Sequence, residues 1–330
     1  MPTSGLPRSA ILRLAAFTCF TALSATLIQV AIRHGLRQVG TGDFGVMNRV
    51  VSGRAAADLL ITGSSRALVH YDTRVLGPVT GLSPLNLGRN GSHTGLQLAV
   101  LRTHLRHNPA PRLLIHNLDL HSLASPAGIY DPGLYLPYLD EPAIREEVRS
   151  VHPEALVWAL LPLYGHAVAD PRLRWIEGLA RLAGYERPET RFAGFEPRAW
   201  AWTGEFDRFA ASTSTGYRVA HDSRGRESLL GLLHLCRDHG IPVVLVLSPE
   251  YVAVRTLQQN RTEILSEFAA LAKEAGVPFW DFSDSPICGQ RGLFYNSQHL
   301  NAEGAAAFSA ELARRLLAAG FTATRLATRP

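Results

Sequence analysis

Short apolar runs separated by longer amphipathic stretches constrain the fold of this chain more than any other feature of its sequence. The clearest run, 241–248 (IPVVLVLS), is rich in the aliphatic and β-branched residues that favour buried strands. Strand-like runs of this kind alternate with stretches of helical periodicity, which favours a parallel sheet with helices on both faces. We therefore predict an α/β fold of three layers. The predicted strands are 58–62, 84–88, 112–118, 241–248 and 278–282, and the predicted helices are 94–107, 226–239, 257–275 and 302–318.

The alternation stops between residues 123 and 225, where the chain is rich in proline, tryptophan, tyrosine and arginine. The most apolar part of this region is 155–169 (ALVWALLPLYGHAVA). We expect a largely helical insertion over the carboxyl edge of the sheet, the edge at which parallel sheets carry their functional loops. Its role stays open between a lid, a groove wall, a face that docks on a membrane partner, and a cap with a small core of its own.

An uncharged run covers 14–32 near the N-terminus, with arginines on both sides. About twenty apolar residues are needed to cross a bilayer as a helix, so the run is just long enough. A secretory signal cleaved near 22–24 and a buried core helix are the alternatives. We predict an uncleaved anchor, which divides the chain into a cytoplasmic tail with membrane anchor (1–37) and a domain outside the cytoplasm (38–330). The flanking arginines do not decide the orientation, and a short cytoplasmic N-terminus is the default.

Charge and composition exclude some function classes. The net charge is +5, carried by arginines that are scattered along the chain, and Lys273 is its only lysine. A nucleic-acid-binding protein usually shows a basic stripe or interleaved aromatic residues, so we predict no nucleic-acid partner. A mildly basic surface is still compatible with anionic polysaccharide or lipid headgroups.

The cysteines and histidines do not indicate a metal or a cofactor. Cys19 lies in the apolar run, and Cys236 and Cys288 are either a disulfide pair or two buried free thiols. His116 and Asp119 would point to opposite faces of an extended strand, so we predict no metal site there. We predict no cofactor.

Three segments that follow predicted strands carry residues suited to acyl chemistry. Ser65 ends the turn Gly-Ser-Ser directly after the first strand, which presents a hydroxyl at the edge of the sheet. The segment 86–91 (NLGRNG) follows the second strand and offers backbone N–H groups and the Asn90 amide for an oxyanion hole. His299 precedes the last helix and would bring an imidazole to the same edge.

In this order, the three segments resemble the SGNH (GDSL-like) hydrolase superfamily. The resemblance covers roughly residues 57–125 and 226–318 and implies a flavodoxin-like three-layer sheet, the SGNH hydrolase fold. It implies that Ser65 is the nucleophile, that His299 is the general base, and that the amides of Ser65 and Gly91, with Asn90 beside them, form the oxyanion hole. His-Leu-Asn followed by a glycine three residues later is the most specific part of the match.

The chain departs from the family pattern at the third catalytic position. Asn296 stands three residues before His299, where the family has aspartate. An asparagine can orient the imidazole, but it supplies no charge to stabilise the imidazolium. Another acid, Asp119, Asp281 or Asp284, is the alternative. The family's Gly-x-Asn-Asp block is not reproduced either, since Asn117-Leu118-Asp119 stands at the equivalent strand end.

The Gly-Ser-Ser-Arg form and the single anchor resemble the branch of the superfamily that modifies the cell envelope, which includes the D-alanine transfer protein of teichoic acids and the alginate acetylation proteins. This implies a serine esterase or O-acyltransferase at the bacterial inner membrane, with a periplasmic domain that acts on acyl groups of cell-surface or exported polysaccharide or another acylated glycan. It also implies a membrane-bound O-acyltransferase as a partner. Two alternatives remain: a catalytically weak or inactive accessory that binds glycan or scaffolds an envelope-biosynthesis complex, and a lipase-like enzyme that acts on membrane lipid.

Overall fold

A five-stranded parallel sheet forms the centre of the computed structural model, which describes residues 7–213 and 215–327. The strand order is β2-β1-β3-β4-β5, the order of flavodoxin-like folds. The α/β class and the predicted order of the strands along the chain are therefore confirmed. The strands are β1 (Leu59–Thr62), β2 (Pro84–Asn86), β3 (Leu113–Leu118), β4 (Val243–Leu247) and β5 (Phe279–Asp281).

Helices cover both faces of the sheet because successive strand side chains point to opposite sides. Leu60 and Leu114 belong to a buried cluster on one face of the sheet, together with the helices of what we call the first layer. Leu59 and Ile115 belong to a buried cluster on the other face, together with the helices of the second layer. The first layer contains α2 (Gly42–Val51), α5 (Thr94–His107), α11 (Ser223–Asp238) and α12 (Arg261–Ala275). The second layer contains α3 (Ser65–His70), α4 (Thr73–Thr80) and α13 (Ala302–Ala318).

Several short helices and strands were not predicted from the sequence. Helices α2, α3 and α4 are too short for their apolar periodicity to stand out from turns. The hairpin of β6 (Phe294–Asn296) and β7 (His299–Leu300) was read only as an approach to the last helix. The helix predicted from residue 257 begins at Arg261, and a 3₁₀ segment, Val252–Leu257, precedes it. Further 3₁₀ turns are Pro132–Leu134, Leu136–Tyr138, Pro286–Gly289 and Arg291–Leu293, and a terminal helix α14 covers Ala323–Ala327.

The insertion 123–225 consists of short helices joined by irregular chain. Its irregular part hydrogen-bonds to segments near the carboxyl edge of the sheet. The N–H of Glu196 donates to the carbonyl of Leu68, and the N–H of Thr203 donates to the carbonyl of Tyr295. The insertion therefore borders the hairpin that carries His299. Its helices are α6 (Pro142–Val151), α7 (Ala155–Leu160), α8 (Tyr164–Val168), α9 (Trp175–Leu182) and α10 (Glu205–Ser212).

The N-terminal helix α1 (Arg8–Leu36) is long and apolar enough to cross a membrane, and its most apolar part is not buried by the rest of the described chain. Its last turn is different, because Ile32 and Leu36 belong to the main buried core. Gly35 lies against Gly178 of α9, where a Cβ atom on either glycine would clash with backbone. The end of the helix is thus held rigidly by the domain.

Candidate active site

Ser65 lies at the carboxyl edge of the sheet because β1 ends at Thr62 and a tight turn leads directly into α3. Gly63 makes this turn possible: its φ is +148°, and a Cβ atom there would lie 2.8 Å from Cβ of Ala67 and 2.9 Å from Cβ of Asn117. Ser64 caps α3, and Ser65 is the first helical residue. The Gly-Ser-Ser pattern therefore has a structural role at Gly63 and Ser64 and leaves the Ser65 hydroxyl free for chemistry.

Ser65, His299 and Asn296 form a hydrogen-bonded chain. Nε2 of His299 lies 2.7 Å from Oγ of Ser65, and Nδ1 lies 2.9 Å from Oδ1 of Asn296. The same Oδ1 atom accepts hydrogen bonds from the backbone N–H groups of Gln298 and His299, at 3.1 and 3.0 Å. These two donors identify the atom as the amide oxygen, so the proton of the neutral imidazole lies on Nδ1. Nε2 is then an acceptor for the Ser65 hydroxyl, as a general base requires.

Burial and the nearby Arg66 guanidinium lower the pKa of His299 to about 4, while the Asp119 carboxylate opposes this effect. Tyr295 stacks on the imidazole at 5.3 Å with an angle of 7° between the rings. The imidazole is therefore neutral at neutral pH and held in one orientation. A base with so low a pKa takes up a proton less readily than an ordinary histidine.

None of the alternative acids bonds to His299 in the described chain. Asp119 accepts a hydrogen bond from Oγ of Ser64 at 2.7 Å and another from the N–H of His121. Asp281 and Asp284 are exposed and interact with Ser283 and Arg255 instead. Asn296 alone holds the position where a triad acid would orient the imidazole.

A cavity of about 230 Å³ opens beside Ser65 and contains Gly91 in its wall. No hydrogen-bond partner is found within residues 7–213 and 215–327 for the backbone N–H groups of Ser65 and Gly91, so both are free to bind an oxyanion. The φ of Gly91 is +62°, and a Cβ atom there would collide with Tyr130. Asn90 is exposed and does not line the cavity.

Most of the residues in the cavity wall are polar. Besides Arg66, whose Nε is buried, two of them carry buried atoms that lack hydrogen-bond partners in the described chain. These two atoms are Nε2 of His93 and Oε1 of Gln97. Burial lowers the pKa of His93 to about 4, so its imidazole is neutral at neutral pH. A hydroxylated or acylated substrate would satisfy both atoms, because each can take part in a hydrogen bond.

His70 lies next to His299 and fixes the position of the strand that carries it. Its Nε2 accepts a hydrogen bond from the N–H of Leu300, so the proton lies on Nδ1, which donates to Oγ of Ser248. This places β7, and with it His299, against the end of β4. Burial and Arg66 hold the pKa of His70 well below its usual value, which preserves this arrangement of donors and acceptors.

Arg66 has a supporting role that the sequence did not reveal. Its buried guanidinium donates to the carbonyls of Ser248 and Pro249 and lies 3.6 Å from the Glu250 carboxylate. Arg66 thus ties α3 to the loop after β4. The only sequence signal for it was the arginine after Gly-Ser-Ser, and its buried partner Glu250 lies far away along the chain.

The histidines near β3 play structural or peripheral roles. Nδ1 of buried His116 lies 2.9 Å from Oγ1 of Thr62, which joins β3 to β1. His121 lines the cavity, apart from His116. Within the described residues no group of histidine, cysteine, aspartate and glutamate side chains has a metal-binding arrangement. Cys236 and Cys288 are buried free thiols, the second of the two alternatives predicted for them.

Comparisons with known proteins give only distant matches. No family model matches the chain, and no curated protein matches its sequence. A solved structure of a provisionally named acylhydrolase from Bacteroides fragilis is similar over 78% of this chain and 87% of its own, with 12% identity and a TM-score of 0.35. A GDSL-like lipase from Bacteroides thetaiotaomicron is similar over 82% of this chain and 98% of its own, with 11% identity and a TM-score of 0.37. These values are too low to assign an activity, so the site is interpreted from its own geometry.

Proposed function

We propose that this chain is a membrane-anchored serine esterase or O-acyltransferase of the SGNH type, which acts outside the cytoplasm on acyl groups of cell-surface or exported polysaccharide. The hydrogen bond of 2.7 Å between Oγ of Ser65 and Nε2 of His299 carries the proposal. This hydrogen bond pairs the Ser65 hydroxyl, beside a cavity, with the acceptor nitrogen of the His299 imidazole. Such a pair is the minimal arrangement for a serine nucleophile with a general base.

In the proposed reaction, Nε2 of His299 takes the proton of the Ser65 hydroxyl while Oγ attacks the carbonyl carbon of an ester. The backbone N–H groups of Ser65 and Gly91 bind the negative oxygen of the tetrahedral intermediate. The intermediate collapses as His299 returns the proton to the leaving alcohol, which leaves an acyl group on Ser65. Water or a sugar hydroxyl then gives its proton to His299 and attacks the acyl group. The bond between the acyl carbon and Oγ breaks as His299 returns the proton to Oγ, which restores Ser65.

The choice of substrate is supported by the polar residues in the cavity wall. Ser92, Gln97 and Gln298 line it together with His93, which suits the hydroxyl groups of a glycan better than a long alkyl chain. Hydrolysis and transfer share the acyl-enzyme and differ only in the acceptor that resolves it. A membrane-bound O-acyltransferase would be a partner able to supply acyl groups at the membrane.

The anchor is supported by α1, which carries Arg8 and Arg13 on the short segment before its uncharged run. Arg33 and Arg37 follow the run, so the arginines do not decide the orientation. A short cytoplasmic N-terminus is the default, and it would place the domain at the bacterial inner membrane on the periplasmic side. A C-terminal alkaline phosphatase fusion tests the orientation, because this reporter is active only outside the cytoplasm. An inactive but full-length fusion would contradict it.

Turnover of p-nitrophenyl acetate by the full-length protein in detergent tests the activity. We expect hydrolysis by the wild type and a loss of at least about a hundredfold in Ser65→Ala and His299→Ala. Ser83→Ala and His239→Ala are matched controls, since both residues precede strands at the opposite edge of the sheet and should leave the rate unchanged. The same variants assayed with an O-acetylated polysaccharide test the substrate class.

A non-catalytic glycan-binding or scaffolding role is the second candidate. The neutral Asn296 and the low pKa of His299 favour it, because together they weaken the base. A folded wild type that neither hydrolyses the ester nor differs from Ser65→Ala would favour this second role.

A further inference from the structure

An exposed apolar surface covers one side of the insertion. Leu160, the last residue of α7, is 76% exposed, and Leu161, in the turn between α7 and α8, is 52% exposed. The segment 155–169 that contains this turn has no aspartate, glutamate, lysine or arginine. Large apolar side chains exposed together without charges are unusual on a surface that faces water.

This turn lies directly beside the N-terminal helix. A groove between them is lined by Phe17, Thr21 and Ala25 of α1 and by Leu161 and Tyr164 of the insertion. The side-chain oxygen of Gln29 accepts a hydrogen bond of 3.0 Å from the N–H of Leu163. The polar side chain that weakens α1 as a membrane span therefore satisfies a backbone group of the insertion, as backbone groups in lipid require.

The contacts fix the depth of the turn relative to α1. Helix α9 crosses α1 at Gly35, at the level where Arg33 and Arg37 pair with Asp140. Gln29 and Ala25 are six and ten residues earlier, which at 1.5 Å per residue places the turn about 9 to 15 Å further along the helix. The hydrocarbon core of a bilayer is about 30 Å thick, so the turn lies inside it when the charged residues mark its surface.

Helix α9 extends the same surface at the level of the charged residues. Its neighbours in the core are Gly35 and Leu36, while an apolar side remains exposed. An amphipathic helix with this placement lies in the interfacial layer of a membrane. The exposed side chains on and beside α9 are Leu173, Ile176, Leu179, Leu182 and Tyr185.

We propose that the insertion is seated in the membrane: the α7–α8 turn enters the hydrocarbon next to α1, and α9 lies at the interface. The occupant of the exposed apolar surface is the acyl region of the bilayer that α1 crosses. The inference rests on the membrane anchor of the proposed function and is independent of its esterase activity. A seated insertion holds the domain at a fixed height, so that the Ser65 cavity keeps one distance from the membrane surface.

Depth-dependent quenching in vesicles tests this with the full-length protein. Cys19→Ser removes the exposed thiol, and Cys236 and Cys288 are buried. In this background Leu161→Cys carries an environment-sensitive fluorophore in phosphatidylcholine–phosphatidylglycerol vesicles that contain lipids spin-labelled in the middle of the acyl chain. Ala22→Cys on α1 reports the hydrocarbon, and Leu317→Cys on α13, which is 40% exposed, reports water.

We expect the label at residue 161 to be quenched within about twofold of the label at residue 22, and several times more than the label at residue 317. Quenching at residue 22 with none at residue 161 would overturn the inference about the insertion but not the membrane anchor. The exposed apolar surface would then be a binding site for a protein partner. No quenching at either residue would overturn both the inference and the anchor. Retained ester hydrolysis in each labelled variant shows that the domain is folded. The presence or absence of ester hydrolysis in the wild type tests the esterase proposal separately.

Discussion

Oδ1 of Asn296 lies 2.9 Å from Nδ1 of His299 and is held there by two backbone N–H groups. In a serine protease, replacement of the triad aspartate by asparagine costs about ten-thousand-fold because the histidine takes the wrong tautomer. Here the backbone donors turn the amide oxygen toward the imidazole, so the tautomer is the productive one. The site therefore lacks only the negative charge of an acid.

Restoring this charge should raise activity. Asn296→Asp keeps an acceptor for Nδ1 and for both backbone donors, and its carboxylate would raise the pKa of His299 and stabilise the imidazolium. We expect kcat/KM for p-nitrophenyl acetate to rise at least about tenfold.

Asn296→Ala is the matched variant, because it removes the acceptor and releases the imidazole. The expected order of rates is Asp above Asn above Ala at residue 296. A rate that is unchanged or lower in Asn296→Asp would show that charge is not what limits the site.

The pH profile should report the low pKa of His299. Protonated His299 cannot accept the Ser65 proton, so kcat/KM should be constant through neutral pH and fall to half near pH 4, below the usual histidine value of 6.5. In Asn296→Asp the midpoint should move upward. An acidic limb near pH 6.5 in the wild type would contradict the buried environment described for this imidazole.

The residues of the candidate site were easier to predict from the sequence than the residues that hold them in place. Ser65 and His299 were found because each follows a strand in a short polar pattern, and the parallel sheet brings such segments to one edge. The supporting contacts of His70 and Arg66 could not be predicted, since their partners Ser248 and Glu250 lie far away in sequence and meet them only through the fold. Strands β1, β3 and β4 were predicted because their apolar runs are buried on both faces, whereas β6 and β7 are too short to give such a signal.

Gly91 gives a test of the oxyanion hole. Gly91→Ala would place a methyl group against Tyr130 at a φ of +62°, which should displace the N–H that faces the cavity. We expect kcat to fall about a hundredfold to a thousandfold, the range found when an oxyanion donor is lost. Gly42→Ala is the matched control, because its φ is +60° and nothing lies within 4 Å of the added atom. An equal loss of activity in both variants would point to backbone strain rather than to the oxyanion hole.

Acid should destabilise the fold through its buried histidines. Burial lowers the pKa of His104 and His116 to about 4, below the unfolded value of 6.5. The unfolded chain therefore binds more protons between these values, and this contribution to stability, complete above pH 6.5, is lost as the pH falls toward 4. Each group should cost on the order of 2 kcal/mol at pH 5.

Thermal unfolding of the full-length protein at pH 7 and pH 5 measures this effect. His104 is fully buried, so His104→Leu should reduce the difference in Tm between the two pH values. A pH dependence of Tm that is unchanged in this variant would show that His104 does not contribute to it.

The central claim is that Ser65 is the nucleophile, and peptide mass spectrometry after treatment with a fluorophosphonate tests it most directly. The Ser65–His299 geometry predicts a single adduct on Ser65 in the folded full-length protein, with labelling greatly slowed in His299→Ala and unaffected in Ser83→Ala. An adduct on another serine, or none in a folded wild type, would contradict the account.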